Sequence, residues 1–91
     1  MNRELVIRPR ADFELDELVE QIARRDERAA ARFRDRVEET LRRIERFPEL
    51  GPLLETPEGP FRVRQVLRYP RFVIIYRLTD TLIDVARIVR G

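Results

Sequence analysis

The segment Phe61–Gly91 sets the narrowest limits on what this chain can fold into. Three runs rich in β-branched and aromatic residues are separated by two short turn signals, Pro70-Arg71 and Thr79-Asp80. Such residues fit a pleated, half-buried surface, so each run is expected to be a strand. The middle run, Phe72 to Tyr76, is apolar at every position, and a strand of that kind is covered on both faces or lies centrally beneath a helix. The preceding run, Phe61–Tyr69, alternates. Phe61, Val63, Leu67 and Tyr69 share one parity, while Arg62, Arg64 and Arg68 share the other, with Val66 breaking their row. The expectation is a sheet with one apolar face under a cover and one arginine-lined face open to water or to an acidic partner.

The earlier part of the chain supplies the cover. Glu4–Arg8 reads as a short strand ended by Pro9, which has no amide to give to a ladder. Ala11, Leu15, Leu18, Val19 and Ile22 then fall on one stripe of a 3.6-residue period, followed by Arg24 and Arg25 where a helix end favours cations. Asp26 is placed to cap a second helix whose stripe is Ala30, Phe33, Val37, Leu41 and Ile44. Glu38 with Arg42, and Glu39 with Arg43, are expected i,i+4 pairs, each contributing about 0.2–0.5 kcal/mol. Pro48 stops this helix near Phe47. The short turn between the helices makes them an antiparallel hairpin. Leu53–Pro60, with Pro57, Gly59 and Pro60, reads as a surface loop. The expected fold is α+β, in the order β-α-α-β-β-β, with the hairpin packed on a small, largely antiparallel sheet; the place of the first strand in that sheet is left open.

A chain of 91 residues is read as one domain, 1–91, burying roughly 60–65% of its unfolded surface. Met1-Asn2-Arg3-Glu4 leads straight into a strand, so no leader is expected, and no run of about 18 apolar residues is present to span a membrane. Cysteine and histidine are both absent, which argues against disulfides, thiolate chemistry and a zinc or iron site, and fits a cytoplasmic protein. No cofactor is expected. All 19 basic residues are arginine, for a net charge of +2. Residues 1–60 carry 12 arginines against 15 acids, and residues 61–91 carry 7 against only Asp80 and Asp84. A basic sheet on an acidic helical base points to an anionic partner at the sheet.

The order of elements resembles the RelE/ParE superfamily of type II toxins, in its ParE-like branch. Phe47-Pro48-Glu49-Leu50-Gly51 at the helix end, Phe72-Val73-Ile74-Ile75-Tyr76-Arg77, and Val85-Ala86-Arg87-Ile88-Val89-Arg90-Gly91 are similar to family motifs. The resemblance implies a toxin neutralised by a cognate antitoxin, whose acidic C-terminal segment is disordered until it wraps the toxin. Carboxylates set against guanidiniums would serve that contact.

The superfamily holds two activities. RelE-like members cut mRNA on the ribosome, and ParE-like members poison DNA gyrase without cutting anything. Strand cleavage by a 2′-hydroxyl needs a base, an acid and cations around the phosphate. Arg62, Arg64, Arg68, Arg77, Arg87 and Arg90 supply cations, but there is no histidine or lysine, and arginine holds its proton too tightly to act as a base. Val73 also stands where the nuclease branch carries an arginine. The reading is therefore a non-enzymatic, gyrase-directed toxin with no catalytic residues. Those six arginines are the candidate contacts with antitoxin or target, and Tyr69 and Tyr76 are candidate target-contact aromatics. The alternatives are a ribosome-dependent endoribonuclease, or a degenerate toxin that only binds its antitoxin, since the chain stops at Gly91 where family members continue. A general nucleic-acid-binding module ranks last, because the arginine row carries no aromatic stacking platform.

Overall fold

The computed structural model describes residues 3–91; the expectation of no leader rests partly on Met1 and Asn2, outside the described residues. Strand β1 (Glu4–Ile7) gives way to helix α1 (Pro9–Ala23) at Pro9, whose fixed φ and missing amide suit a first helical position. Ala11 and Leu15 are buried, and Leu18, Val19 and Ile22 pack against the core, as the stripe predicts. Asp26 caps helix α2 (Glu27–Arg46), its Oδ1 accepting from the backbone N–H groups of Arg28 at 3.0 Å and Ala29 at 3.1 Å. Every residue of the second stripe is buried. Of the two expected pairs along α2, Glu39–Arg43 forms at 3.7 Å, whereas Glu38–Arg42 is not among the ion pairs of the described residues; Glu39 instead also takes Arg36 at 3.0 Å.

Four further strands follow: β2 (Leu53–Thr56), β3 (Gly59–Val66), β4 (Tyr69–Leu78) and β5 (Leu82–Arg90). They form one sheet in the order β1-β5-β4-β3-β2. β1 runs parallel to β5, with Glu4 opposite Leu82 and Ile7 opposite Val85, and all other pairs are antiparallel. The core lies between the helical hairpin and one face of this sheet, where Phe33, Val37 and Ile44 meet Ile74, Tyr76, Val85 and Ile88.

Three expectations need correction. Leu53–Pro60 is not simply a loop: Leu53–Thr56 pairs with Gly59–Arg62 as an edge hairpin. Prolines are tolerated on an edge, and Thr56 closes the turn, its Oγ1 donating to Gly59 O at 2.7 Å and accepting from Glu58 N at 3.1 Å. The β3–β4 turn is at Leu67-Arg68 rather than Pro70-Arg71. Arg68 takes a left-handed φ of 67°, a conformation that glycine or asparagine usually supplies in a two-residue hairpin loop. Pro70 sits inside β4, where the register shifts from Val66–Tyr69 to Gln65–Val73.

The third correction concerns the arginine face. Directly opposed residues of an antiparallel pair share a face, and Arg62 lies opposite Tyr76 and Arg64 opposite Ile74, both core residues. Arg62 and Arg64 therefore point to the helix side, while Phe61 and Val63 belong to the other face with Val73 and Ile75. β4 is apolar at both parities, so hydrophobicity alone does not tell the two faces apart. Helix α2 stops at Arg46, and the link Phe47–Pro52 crosses beside β3 in its place, leaving polar backbone for the Arg62 guanidinium to meet.

Candidate functional site

The arginines of the sheet fall into three groups. The first surrounds the link after α2. Tyr76 Oη donates to Pro48 O at 2.7 Å, and Arg62 Nη1 donates to Glu49 O at 3.0 Å and Gly51 O at 2.9 Å. Gly51 lets the link pass this close, since a Cβ there would lie 2.8 Å from Val63 O and 2.9 Å from Tyr76 Oη. Beside it Arg64 is half-buried, and its Nη1 is buried without a hydrogen-bond partner among the described residues. A notch of about 490 Å³ opens here, lined by Leu50, Pro52, Val63, Arg64, Gln65 and Val73.

The second group lies on the open face. Asp84 accepts from Arg8 at 2.8 Å and 3.0 Å and from Arg77 at 3.1 Å. Both guanidiniums lie over the Phe61 ring, 5.9 Å and 5.5 Å from its centroid. Further along β5, Glu14 reaches from α1, accepting from Arg87 Nε at 2.7 Å and from the backbone N–H of Ile88 at 3.2 Å. It takes the place of a strand partner, because β1 pairs only as far as Val85. A hollow of about 290 Å³ lies between the two clusters, with Phe61 and Ile75 in its lining.

The third group gathers at the other end of β4. Arg68 and Arg71 are exposed, and the guanidinium of the equally exposed Arg90 sits 5.7 Å from the Phe72 ring centroid. Tyr69 packs edge-on against Phe33, with centroids 5.1 Å apart.

Titration follows these contacts. The hydrogen bond from Arg8 holds the Asp84 carboxyl below its ordinary value; burial opposes this, while the nearby charge of Arg8 and the contact with Arg77 reinforce it. Burial pushes Glu14 up, but the hydrogen bonds from Arg87 and Ile88 N–H, with the charges of Arg87 and Arg10, more than offset it and leave the group lowered. The same hydrogen bonds raise Arg8 and Arg87. Burial raises the Tyr76 phenol against the opposing pull of Arg64, Gly51 and Arg62. The groups that hold a proton here hold it firmly, and both carboxylates are kept ionised between two arginines each. Such an arrangement suits binding an anion by charge and hydrogen bond.

The structure thus brings Arg62 and Arg64 together on one face of β3, places Arg90 over Phe72 rather than a tyrosine, leaves Arg68 exposed beside Tyr69 in the chain, and separates Arg77 and Arg87 into ion pairs. Arg87 pairs with the helix carboxylate of Glu14, whereas Arg77 pairs with Asp84 within the sheet. Tyr76 is fully buried, so it is a core residue and not a contact for a target. Sequence reasoning missed Arg8, Arg71, Glu14 and Gly51. A lone acid in the apolar strand Leu82–Arg90 was a signal for the Asp84 cluster; Glu14, one acid of many on its helix, gave none. Among the described residues no group of three or more potential ligands could hold a metal ion, and no helix is long and apolar enough to cross a membrane.

Comparison with known proteins bears on this geometry. Residues 5–91 match the family model described as ParE toxin of type II toxin-antitoxin system, parDE. A solved structure described as the chromosomal ParDE toxin–antitoxin system from P. aeruginosa superposes with a TM-score of 0.81 at 19% identity, covering 97% of this chain and 95% of that one. At that identity the likeness shows the fold. No curated protein sequence matches significantly.

Proposed function

We infer, for a chain that belongs to the ParE toxin family of type II toxin–antitoxin systems, that it arrests growth by inhibiting DNA gyrase in the cytoplasm, without catalysing a reaction of its own, and that a cognate antitoxin silences it with an acidic segment that folds on binding. The observation that carries this reading is the set of arginines left over. Of the seven in residues 61–91, Arg77 and Arg87 lie within 4 Å of a carboxylate, whereas Arg62, Arg64, Arg68, Arg71 and Arg90 have no such partner among the described residues. Unpaired guanidiniums on a rigid sheet are ready to receive carboxylates from a partner.

The non-enzymatic part is supported by where the protons sit. Tyr76 Oη is committed to Pro48 O, and Glu14 and Asp84 are held below their ordinary values by arginines, which makes them weak bases. The test is induction of the chain in a bacterial host, with and without the product of the neighbouring reading frame. Plasmids should lose negative supercoiling, a DNA-damage response should follow, and the neighbouring product should reverse both. Growth arrest with normal supercoiling refutes the gyrase reading. Codon-phased mRNA ends would establish the nuclease, which the adjacent Arg62 and Arg64 favour. Binding of the neighbouring product with no growth arrest would mark a degenerate toxin.

A further inference from the structure

The edge of β3 beyond β2 is incomplete in one place. Leu53, the first residue of β2, lies opposite Arg62, so β2 covers β3 no further than that. Past it, the N–H of Val63 donates to Pro52 O at 3.0 Å, and the N–H of Leu67 donates to Thr40 Oγ1 at 3.0 Å. Strand amides two residues apart point to the same side. The N–H of Gln65 therefore points to the same edge as that of Val63, where no strand of the described residues lies against it; the N–H of Leu67, in the turn beyond β3, is taken up by helix α2. Gln65 itself is exposed. Arg64, next in the chain, carries the unpartnered buried Nη1. One open backbone donor and one open guanidinium donor thus occur on consecutive residues, at a notch lined by Leu50, Pro52, Val63 and Val73.

We propose that this gap takes an extended acidic segment of the protein partner, its backbone accepting from Gln65 N–H and one of its carboxylates from Arg64. The proposal rests on the acidic-partner reading above and adds the place and mode of contact. Among the described residues neither Arg62 nor Arg64 has a carboxylate within 4 Å, and Arg62 is held in place by Glu49 O and Gly51 O, so a second positive charge stands fixed beside the open donor. The lining of the notch fits a peptide better than a nucleic acid. A strand alternates its side chains, so carboxylates can face Arg64 while apolar residues meet Leu50, which is 69% exposed, Pro52 and Val73. A phosphate backbone has nothing to set against those apolar groups.

The test uses the purified full chain and a synthetic peptide of alternating Glu and Val, about ten residues long to match a long strand. A Gln/Val version of the peptide and an oligoadenylate serve as comparison probes. In the free chain the Gln65 amide should exchange with solvent freely, and the Glu/Val peptide should slow it. Arg64→Lys keeps the charge but loses the planar fork, and should weaken binding about tenfold, the scale of one charge-assisted hydrogen bond. Gln65→Pro removes the edge donor without touching a bond of the free chain; it should melt with the parent by circular dichroism yet fail to bind. Absent binding, binding with Gln65 unprotected, unchanged affinity in Arg64→Lys, or preference for the Gln/Val peptide or the oligoadenylate overturns the proposal. Neutralisation of toxicity by the neighbouring product alongside any of those results would leave the proposed function standing and move its interface elsewhere.

Discussion

Gly51→Ala tests how closely the link after α2 is pressed to the sheet. The added Cβ would lie 2.8 Å from Val63 O, 2.9 Å from Tyr76 Oη and 3.4 Å from Arg62 Cβ. The first of these is backbone and does not swing away, so the link itself has to lift. Lifting it strains Tyr76 Oη–Pro48 O and the two Arg62 bonds to Glu49 O and Gly51 O. Overpacking costs about 1–3 kcal/mol, and a hydrogen bond lost from such a cluster adds roughly 0.5–1.5 kcal/mol. The more restricted unfolded chain returns about 0.4–1 kcal/mol. The net expectation is a loss of about 2–3 kcal/mol, or roughly 4–8 °C of Tm per kcal/mol in a domain of this size.

Urea unfolding of the parent, Gly51→Ala, Tyr76→Phe and the double variant measures this, at a common slope. Tyr76→Phe leaves Pro48 O without its donor, at about 1 kcal/mol, but it also removes one of the two atoms that the new methyl strikes. The double variant should therefore fall short of the sum by about 0.5–1 kcal/mol. A Gly51→Ala protein within about 0.5 kcal/mol of the parent, or strict additivity, would refute the reasoning.

Three further outcomes are expected. Asp26→Ala removes the acceptor of the Arg28 and Ala29 amides and should cost about 1 kcal/mol in the same unfolding assay. Thr40→Val keeps the shape of a side chain that is only 1% exposed but leaves Leu67 N–H without Thr40 Oγ1; about 1–3 kcal/mol should be lost, with faster amide exchange at Leu67. Asp84 and Glu14 are lowered on folding from ordinary values of 3.8 and 4.5, so on acidification the unfolded chain takes up protons first. Their contribution is complete above those values and is lost as pH falls below them; the urea midpoint should drop through that range, and less steeply in Asp84→Asn.

What the sequence revealed and what it hid follow from the range of the interactions. Both helices were legible because their stripes and the Asp26 cap are local patterns, written within a few turns. The Thr79-Asp80 hairpin was legible for the same reason, with Thr79 Oγ1 accepting from Leu82 N at 2.9 Å. Strand β2 was hidden by Pro57, Gly59 and Pro60, which read as loop but fall in the turn after β2 and at the start of its partner strand β3. The face of Arg62 and Arg64 was misread because period two gives two faces without saying which one is covered, and Val73 and Ile75 made the open face as apolar as the buried one. The Arg8–Asp84 and Glu14–Arg87 clusters join residues 76 and 73 positions apart. They exist only because β1 lies parallel to β5 and α1 leaves the sheet beside its unpaired end, a topology no local window contains.

That division bears on how function in this chain must be probed. Of the arginines that found acids, Arg8 and Arg87 tie the first strand and helix to the last strand, and Arg77 ties β4 to β5. Removing one leaves a partly buried carboxylate with too little positive charge around it, and the resulting instability imitates loss of activity. Removing Arg68, Arg71 or Arg90 breaks no ion pair of the described residues, so a loss of toxicity or of antitoxin binding there, at unchanged stability, reports contact with a partner. Arg62 belongs with the first set despite having no acid, because it holds the link through Glu49 O and Gly51 O. Arg64 donates to no acid yet keeps a buried Nη1 unspent. Among the described residues it is the arginine with a buried, unmet donor, and a partner that brings an acceptor to that guanidinium gains more there than at a freely hydrated arginine on the surface.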